Sequence, residues 1–304
     1  MMIPAPLRSL GPVEWAMLLC LSVLWGGSYL FIKLAVSSLP PFSIVLGRVT
    51  IAACVLAVLL LVSGAGFPKG RKTWLAFVEM GILNNVIPMS LIVFSQQTIS
   101  AGLASILNAM TPLFTIIIAH FVTHDERLTP RKVIGVLFGL SGVVVLIGPE
   151  VVSNLGLSAL GEWACLIAAV SYACANSFGR RFARLGVRPM QTAFGQVAAS
   201  TLILTPLALW MDRPWTLPYP GPAPLLSVLA LGVFTTAIAY VIFFRILARS
   251  GATATALVTL MIPPSAITMG AMVLGEHLSI QDFVGMALIA VGLLSVNRQK
   301  KLSE

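Results

Sequence analysis

Charged residues are scarce in this sequence. Lysine, arginine, aspartate and glutamate make up 10% of its 304 residues, whereas a soluble globular domain carries about 25%. The mean hydropathy is +0.97. The apolar residues form blocks of roughly 20, the length at which a helix crosses about 30 Å of hydrocarbon. The composition therefore excludes a soluble protein and predicts an all-α integral membrane protein.

Residues that build metal and catalytic sites are also few. The four cysteines lie inside apolar blocks without metal-site or disulfide-framework spacing, so we expect small core residues. His120 and His124 would share a helix face near Glu126, but no third ligand accompanies them on that face. No nucleotide-binding loop and no Ser/His/Asp arrangement stands out. We expect no metal, no cofactor and no enzymatic activity.

The apolar blocks predict ten membrane-spanning helices and no soluble domain. The first block is too long for the core of a signal peptide, and no small-x-small cleavage pattern follows it, so it is predicted to be the first span. The spans are predicted near residues 13–33, 42–62, 74–94, 100–121, 131–148, 157–179, 190–210, 224–247, 252–274 and 281–297.

Basic residues are concentrated in alternate loops. If the N-terminus is cytoplasmic, the cytoplasmic segments hold all of the 19 lysines and arginines except Lys33, Arg48 and Arg213. Cytoplasmic loops of membrane proteins are enriched in these residues. The pattern predicts cytoplasmic N and C termini, and it indicates that the net charge of +9 reflects membrane orientation and not nucleic-acid binding.

Two stretches of the chain match each other. Residues 100–145 reappear 150 positions later, with Glu126 matching Glu276 and Gly135 matching Gly285. The first predicted helices match at an offset of 148, and the third ones at 151, where Asn84-Asn85 meets Thr235-Thr236. These matches predict a duplication.

The two copies are predicted to be residues 1–149 and residues 150–304. Each copy holds five predicted spans, so equivalent helices would cross the membrane in opposite directions. Such inverted-topology repeats are found in many secondary transporters, whose substrate sites lie near the midplane between the repeats. Glu126 and Glu276 would then cap short hinges on opposite sides of the membrane.

Five segments of the sequence are distinctive when taken together. They are LWGGSYLFIKLAV, PPFSIVLGRVTIAA with Arg48, the segment from TISAGLASILNAM to GLSGVVVLI, SGATATALVTLMIPPSAITMGAMVLGEHLS and QDFVGMALIAVGLLSV. With these segments the chain resembles the EamA-type branch of the drug/metabolite transporter superfamily over nearly its whole length. The resemblance implies ten-helix transporters of the bacterial inner membrane, often exporters of amino acids or other small metabolites.

Arg48 is the most informative single residue. It lies inside the second predicted span, where a charge costs about 2.5–3.5 kcal/mol on insertion scales. One interpretation is an anchor for a carboxylate or another anionic group of the substrate. The alternative is a structural tether to backbone carbonyls, or a side chain that reaches toward the outer face. The second copy has no arginine at the corresponding place, so the two halves should line a cavity with different chemistry.

Other polar residues inside the spans are candidate substrate ligands. Adjacent polar residues point about 100° apart on a helix, so one of each Asn or Thr pair can face a cavity. Residues three or four apart share a face, and the alternative in every case is ordinary bonding between helices. The candidates are Trp25 with Ser28, Asn84 and Asn85, Tyr172 with Asn176, Thr235 and Thr236, and Tyr240.

Glu79 is the candidate for proton coupling. It lies well inside the third predicted span, and a buried carboxyl there could carry a proton. The alternative is a solvated residue in a cytoplasmic vestibule, paired with Lys72 or an arginine on that side.

The sequence thus predicts a multi-pass transporter of the bacterial inner membrane that exports a small amphipathic metabolite by alternating access. Spans 1, 2, 3, 6, 7 and 8 would line the cavity, and the glycine-rich spans 4, 5, 9 and 10 would form a scaffold and a candidate homodimer face. The expected partners are a small-molecule substrate and the lipid bilayer, with no nucleic acid. The alternatives are a channel or facilitator for small polar solutes and a membrane enzyme acting on lipid-linked substrates.

Overall fold

The computed structural model describes residues 11–122, 130–147 and 157–297. Most of these residues lie in helices, as the long apolar blocks of the sequence predict. The helices are α1 (Pro12–Ala35), α2 (Pro41–Val62), α3 (Arg71–Gly81), α4 (Ile87–Ser95), α5 (Ala101–Asn108), α6 (Thr111–Val122), α7 (Pro130–Ile147), α8 (Leu157–Arg184), α9 (Pro189–Met211), α10 (Pro222–Gly232), α11 (Ala239–Met269) and α12 (Ile280–Asn297).

Three π-helical segments interrupt or extend these helices. We name them π1 (Ile82–Val86), which joins α3 to α4, π2 (Val233–Ile238), which joins α10 to α11, and π3 (Gly270–Leu274), which follows α11. A π-helical turn contains one more residue than an α-helical turn and is often found at functional sites. The sequence analysis did not predict any of the three.

In the described part of the chain, eight helical stretches are long and apolar enough to cross a membrane, as expected of an integral membrane protein. Two further apolar helices, Lys132–Leu146 and Ile280–Ser295, are shorter. Their positions match the fifth and tenth predicted spans, but the count of ten and the orientation of the termini stay predictions. The eight spans are Pro12–Ala35, Pro41–Val62, Arg71–Ser95, Ala101–Val122, Leu157–Arg184, Pro189–Met211, Pro222–Leu247 and Leu257–Leu274.

Helix α11 reverses direction although its hydrogen-bonded run is continuous. Phe243 packs against Trp25 with its ring tilted and the ring centroids 5.6 Å apart, and Ser265 packs against the neighbouring Gly26. A straight helix would hold residues 243 and 265 about 33 Å apart at about 1.5 Å per residue. The run therefore folds back between the two apolar spans that it contains, and both of its arms pack on α1.

Glycines allow α7 and α12 to pack closely. A methyl group on Gly142 would lie 2.7 Å from the carbonyl oxygen of Gly285, and one on Gly292 would lie 2.5 Å from that of Gly135. Small residues let helix backbones approach closely in membranes. The glycine faces predicted for a scaffold are thus used within the chain, and the homodimer stays a prediction.

The cysteines are placed differently from one another. Cys165 is buried, but Cys20 and Cys54 are exposed on the outside of apolar helices. The expectation that all four are core residues is therefore wrong for these two. Their side chains are small and weakly polar, so a surface in contact with lipid tolerates them.

Candidate functional site

Arg48 joins three helical stretches at the centre of the molecule. Its side chain is buried, with 8% of its surface exposed. Its Nε donates to Thr236 Oγ1 at 2.8 Å, and its Nη1 donates to Ser28 Oγ at 3.0 Å. Among the described residues, no carboxylate forms an ion pair with it. The structure therefore contains a buried cation that is held by two neutral hydroxyls, with N–H groups left over for another acceptor.

π2 explains why Thr236 faces Arg48. The hydroxyls of Thr235 and Thr236 both donate to the Leu231 carbonyl, at 3.0 Å and 2.8 Å. The wide turn leaves that carbonyl accessible to side chains. Thr236 can then also accept the hydrogen bond from Arg48, whereas Thr235 has no further partner among the described residues.

π1 presents the amide pair to α9 and α11. Asn84 Nδ2 donates to Gln196 Oε1 at 2.9 Å and to Tyr240 Oη at 3.3 Å. Asn85 Nδ2 donates to Ser200 Oγ at 3.0 Å, and Tyr240 Oη lies 3.5 Å from Asn85 Oδ1. The two halves of the chain thus meet in a second polar cluster, in which Tyr240 contacts both asparagines.

Three tyrosines lie in the neighbourhood of Arg48, namely Tyr29, Tyr172 and Tyr240. Tyr29 also accepts a hydrogen bond of 2.9 Å from Asn108 Nδ2. We call this region the polar centre. It contains most of the predicted ligands and consists of Arg48 with Ser28 and Thr236, the three tyrosines, and Asn84 and Asn85.

The sequence analysis missed Gln196 and Tyr29. Gln196 is nearly fully buried in α9, and it stands 148 residues after Arg48, the offset found for the first helices. Gln196 could therefore have been found from the sequence as the counterpart of Arg48. The amide of Asn108, one turn before Pro112, bonds to Tyr29.

Two predicted ligands lie apart from this centre. Trp25 packs against Phe243. Asn176 is exposed, and its amide donates to Thr115 Oγ1 at 3.2 Å.

Glu79 is half exposed and forms an ion pair with Arg181. Its Oε2 lies 2.5 Å from Arg181 Nη1, and the guanidinium also stacks 4.0 Å over the ring of Phe178. This geometry is that of a solvated residue paired with a basic side chain, the alternative given above. Proton coupling at Glu79 stays a prediction.

A cavity of about 300 Å³ opens beside the polar centre. It lies between the second half of α2, the start of α9 and the first arm of α11. Tyr240 belongs both to its wall and to the polar centre. The lining residues are Leu56, Arg188, Pro189, Met190, Ala193, Tyr240, Val241, Phe244 and Arg245.

On the side of the molecule opposite the cavity, polar contacts join the ends of neighbouring helices. Lys33 Nζ donates to the carbonyls of Gln96 and Ile99, both at 2.8 Å. Glu276 accepts from the backbone N–H groups of Ala101 and Gly102, at 2.8 Å and 3.2 Å. Glu276 therefore caps α5, where its charge complements the helix dipole. Its predicted counterpart Glu126 lies outside the described residues.

Comparisons with known proteins agree with this architecture. A solved crystal structure superposes with a TM-score of 0.66 at 21% identity, and the match covers 93% of this chain and 96% of the other. This likeness shows the fold alone.

Named relatives span almost the whole chain. The uncharacterized transporter YoaV of Bacillus subtilis is 24% identical, covering 91% of this chain and 94% of its own. The uncharacterized inner membrane transporter YedA of Escherichia coli is 26% identical, covering 97% and 94%. A probable amino-acid metabolite efflux pump of Escherichia coli is 26% identical, covering 89% and 90%. The model of the EamA-like transporter family matches residues 14–148 and 159–298. The chain therefore belongs to the EamA-like transporter family.

Proposed function

We propose that this protein is a secondary transporter that exports an amino-acid-like or other small amphipathic metabolite across the bacterial inner membrane. The observation that carries the proposal is the buried Arg48, which is hydrogen-bonded to α1 and π2 without a carboxylate partner among the described residues. A buried ionised residue in a membrane segment is costly and is typically retained for function. The efflux-pump relative supports the outward direction.

Contacts between the halves support a pair of inverted repeats with ten spans. Arg48 of α2 bonds to π2, and Gln196, 148 residues later in α9, bonds to π1. The bonded residues of the two π segments are neighbours in the repeat and not equivalents. By the offset of 151 residues Thr236 matches Asn85, whereas Gln196 bonds to Asn84. Each half therefore supplies a polar residue to the π segment of the other half.

Packing around two glycines repeats the same relation. A methyl group on Gly47 would lie 2.6 Å from Val228, and one on Gly195 would lie 2.3 Å from Phe77. Gly195 follows Gly47 by 148 residues, and Val228 follows Phe77 by 151, the offsets found in the sequence. π1 and π2 also begin 151 residues apart.

Alternating access gives these contacts a role. In this structure the side with Lys33 and Glu276 is held together by hydrogen bonds, whereas the cavity lies near the other end of α2. By the distribution of basic residues, the closed side is the outer one and the cavity is cytoplasmic. We infer that transport breaks the Glu276–α5 contact and closes the cavity, as the two halves rock about the polar centre.

Counterflow in proteoliposomes tests the proposal. Vesicles with the purified chain should accumulate a labelled solute from a panel of amino acids and analogues when they are preloaded with the same solute unlabelled. Arg48→Ala and Asn85→Ala should each lower the rate at least about fivefold, because each removes hydrogen bonds worth about 1–3 kcal/mol. Overexpression of the parent should also protect cells from toxic analogues, and the two variants should not.

An exposed arginine outside the spans provides the control. Arg213→Ala, outside the spans and exposed, should transport like the parent. Counterflow stimulation separates a carrier from a channel, which shows none. A panel of which no member moves, or two variants as active as the parent, would refute the assignment.

A further inference from the structure

The cavity beside the polar centre carries two arginines at its mouth. Arg188 precedes the first turn of α9, and Arg245 lies in the first arm of α11; both are exposed. They come from different helices, yet both belong to the wall of the same cavity of about 300 Å³. That volume is at the lower end of small-molecule pockets.

Among the residues that the structure describes, no acidic side chain lines this cavity. Neither Arg188 nor Arg245 forms an ion pair with a carboxylate in the part of the chain that the structure describes. The remaining wall is mostly apolar, with Leu56, Met190 and Phe244 facing the same space. A ligand that fits carries an anionic group at the mouth and an apolar body farther in.

Tyr240 connects this cavity to the buried arginine. Tyr240 forms part of the cavity wall, and its hydroxyl lies 3.3 Å from Asn84 Nδ2. The cavity thus carries two exposed guanidiniums, and one of its wall residues also belongs to the polar centre that contains the buried guanidinium of Arg48.

We propose that Arg188 and Arg245 form an anion-binding site at the cavity mouth, and that the transported substrates are amphipathic carboxylates. The inference rests on the proposed transport function and names its substrate class. The mouth arginines attract the carboxylate from solution, because a cleft lined by one sign of charge raises the local concentration of counter-ions. The carboxylate then passes Tyr240 to the unused N–H groups of Arg48, while the apolar body follows the wall that contains Leu56 and Phe244.

The test uses the full chain in proteoliposomes with N-acetylphenylalanine as an anionic probe with an apolar ring. Its neutral analogue N-acetylphenylalaninamide serves as competitor. The variants are Arg188→Gln, Arg245→Gln and the double substitution. Arg71→Gln is the matched control, because Arg71 is exposed on the same predicted face but outside the cavity wall. All three substituted positions are exposed, and monodisperse gel filtration checks that each variant is folded.

We expect each single substitution to raise the KM of the probe about two- to fivefold and the pair about tenfold, as for partly exposed ion pairs. The Vmax should stay within about twofold. Added salt should raise the KM of the parent and leave that of the double variant nearly unchanged, because salt screens exposed charges. The amide should compete at least about tenfold more weakly than the acid.

Three results would overturn the inference while the transport function stands. They are an unchanged KM in the double variant, equal competition by the amide and the acid, and counterflow of neutral solutes from the panel but not of the anionic probe. Absence of counterflow for every member of the panel would instead refute the transport function, and this inference with it.

Discussion

Thr235 and Thr236 are adjacent, equally buried and bonded to the same carbonyl, yet only Thr236 reaches Arg48. The difference follows from the direction of each side chain on π2. The pair therefore separates the structural role of a buried hydroxyl from its role at the arginine.

We predict that Thr236→Val lowers the counterflow rate about tenfold, since a hydrogen bond to a charged group contributes about 1.5–3 kcal/mol. Thr235→Val should destabilise the protein to a similar extent without that loss of rate. Counterflow and thermal unfolding followed by intrinsic fluorescence measure the two effects. Equal transport by both variants would show that Arg48 does not need Thr236.

The sequence predicted the buried residues of the site better than their partners. Arg48, Ser28 and Asn85 stand out because polar side chains are costly inside apolar spans. The bonds from Arg48 to Thr236 and from Asn84 to Gln196 join positions 188 and 112 residues apart. Such pairings depend on how helices pack, which a single sequence does not encode locally.

At the scale of helices, glycine decides how closely α3 and α9 approach. Phe77 is fully buried, and a methyl group on Gly195 would lie 2.3 Å from its ring. The ring is held between Trp74 and Phe182, with centroids 5.6 Å and 5.3 Å away, so it cannot move aside easily.

Gly195→Ala should therefore destabilise the protein by about 1–3 kcal/mol, the typical cost of overpacking. The measurement is thermal unfolding in detergent. Gly179→Ala in α8 is the matched control, because its methyl group would meet only Met80, at 3.8 Å. That control should be neutral or slightly stabilising, since alanine favours helix more than glycine. A melting temperature that is unchanged in Gly195→Ala would contradict the packing described here.

The helices were predictable as elements, but their interruptions were not. Spans of roughly 20 apolar residues follow directly from composition. The π segments and the reversal within α11 leave no comparable mark, because Asn-Asn and Thr-Thr pairs occur in regular helices too. The reversal is visible only in the packing of residues such as Ser265 against α1.

At the scale of the whole molecule, Glu276 joins two helices on the side that the proposed transport cycle would open. Its carboxylate links the loop before α12 to the first N–H groups of α5. A negative charge at a helix N-terminus contributes about 0.3–1 kcal/mol, and up to about 2 kcal/mol when partly buried. Removing the charge should therefore shift the population toward a state that is open on this side.

Cys165 provides a native reporter for this shift. It is buried beside Ser95, within 3.1 Å of its hydroxyl, and the other three cysteines can be replaced by alanine. We predict that Glu276→Gln speeds labelling of Cys165 by a membrane-impermeant thiol reagent about threefold or more. Asp282→Asn, a partly exposed acid at the start of α12 that bonds only to nearby Ser279 among the described residues, serves as the control and should label at the parent rate. If Cys165 is labelled at the same rate in both variants, Glu276 does not stabilise the closed side.

The matching positions of π1 and π2 also bear on the history of the protein. A π-helical turn holds one residue more than an α-helical turn, so each segment records a single inserted residue. In the proposed duplication, both insertions occupy the same place, directly after Gly81 in one half and Gly232 in the other. One insertion before the gene duplicated accounts for both, whereas two separate insertions would have to coincide. Under the proposed duplication, the ancestral five-helix subunit already contained this π segment.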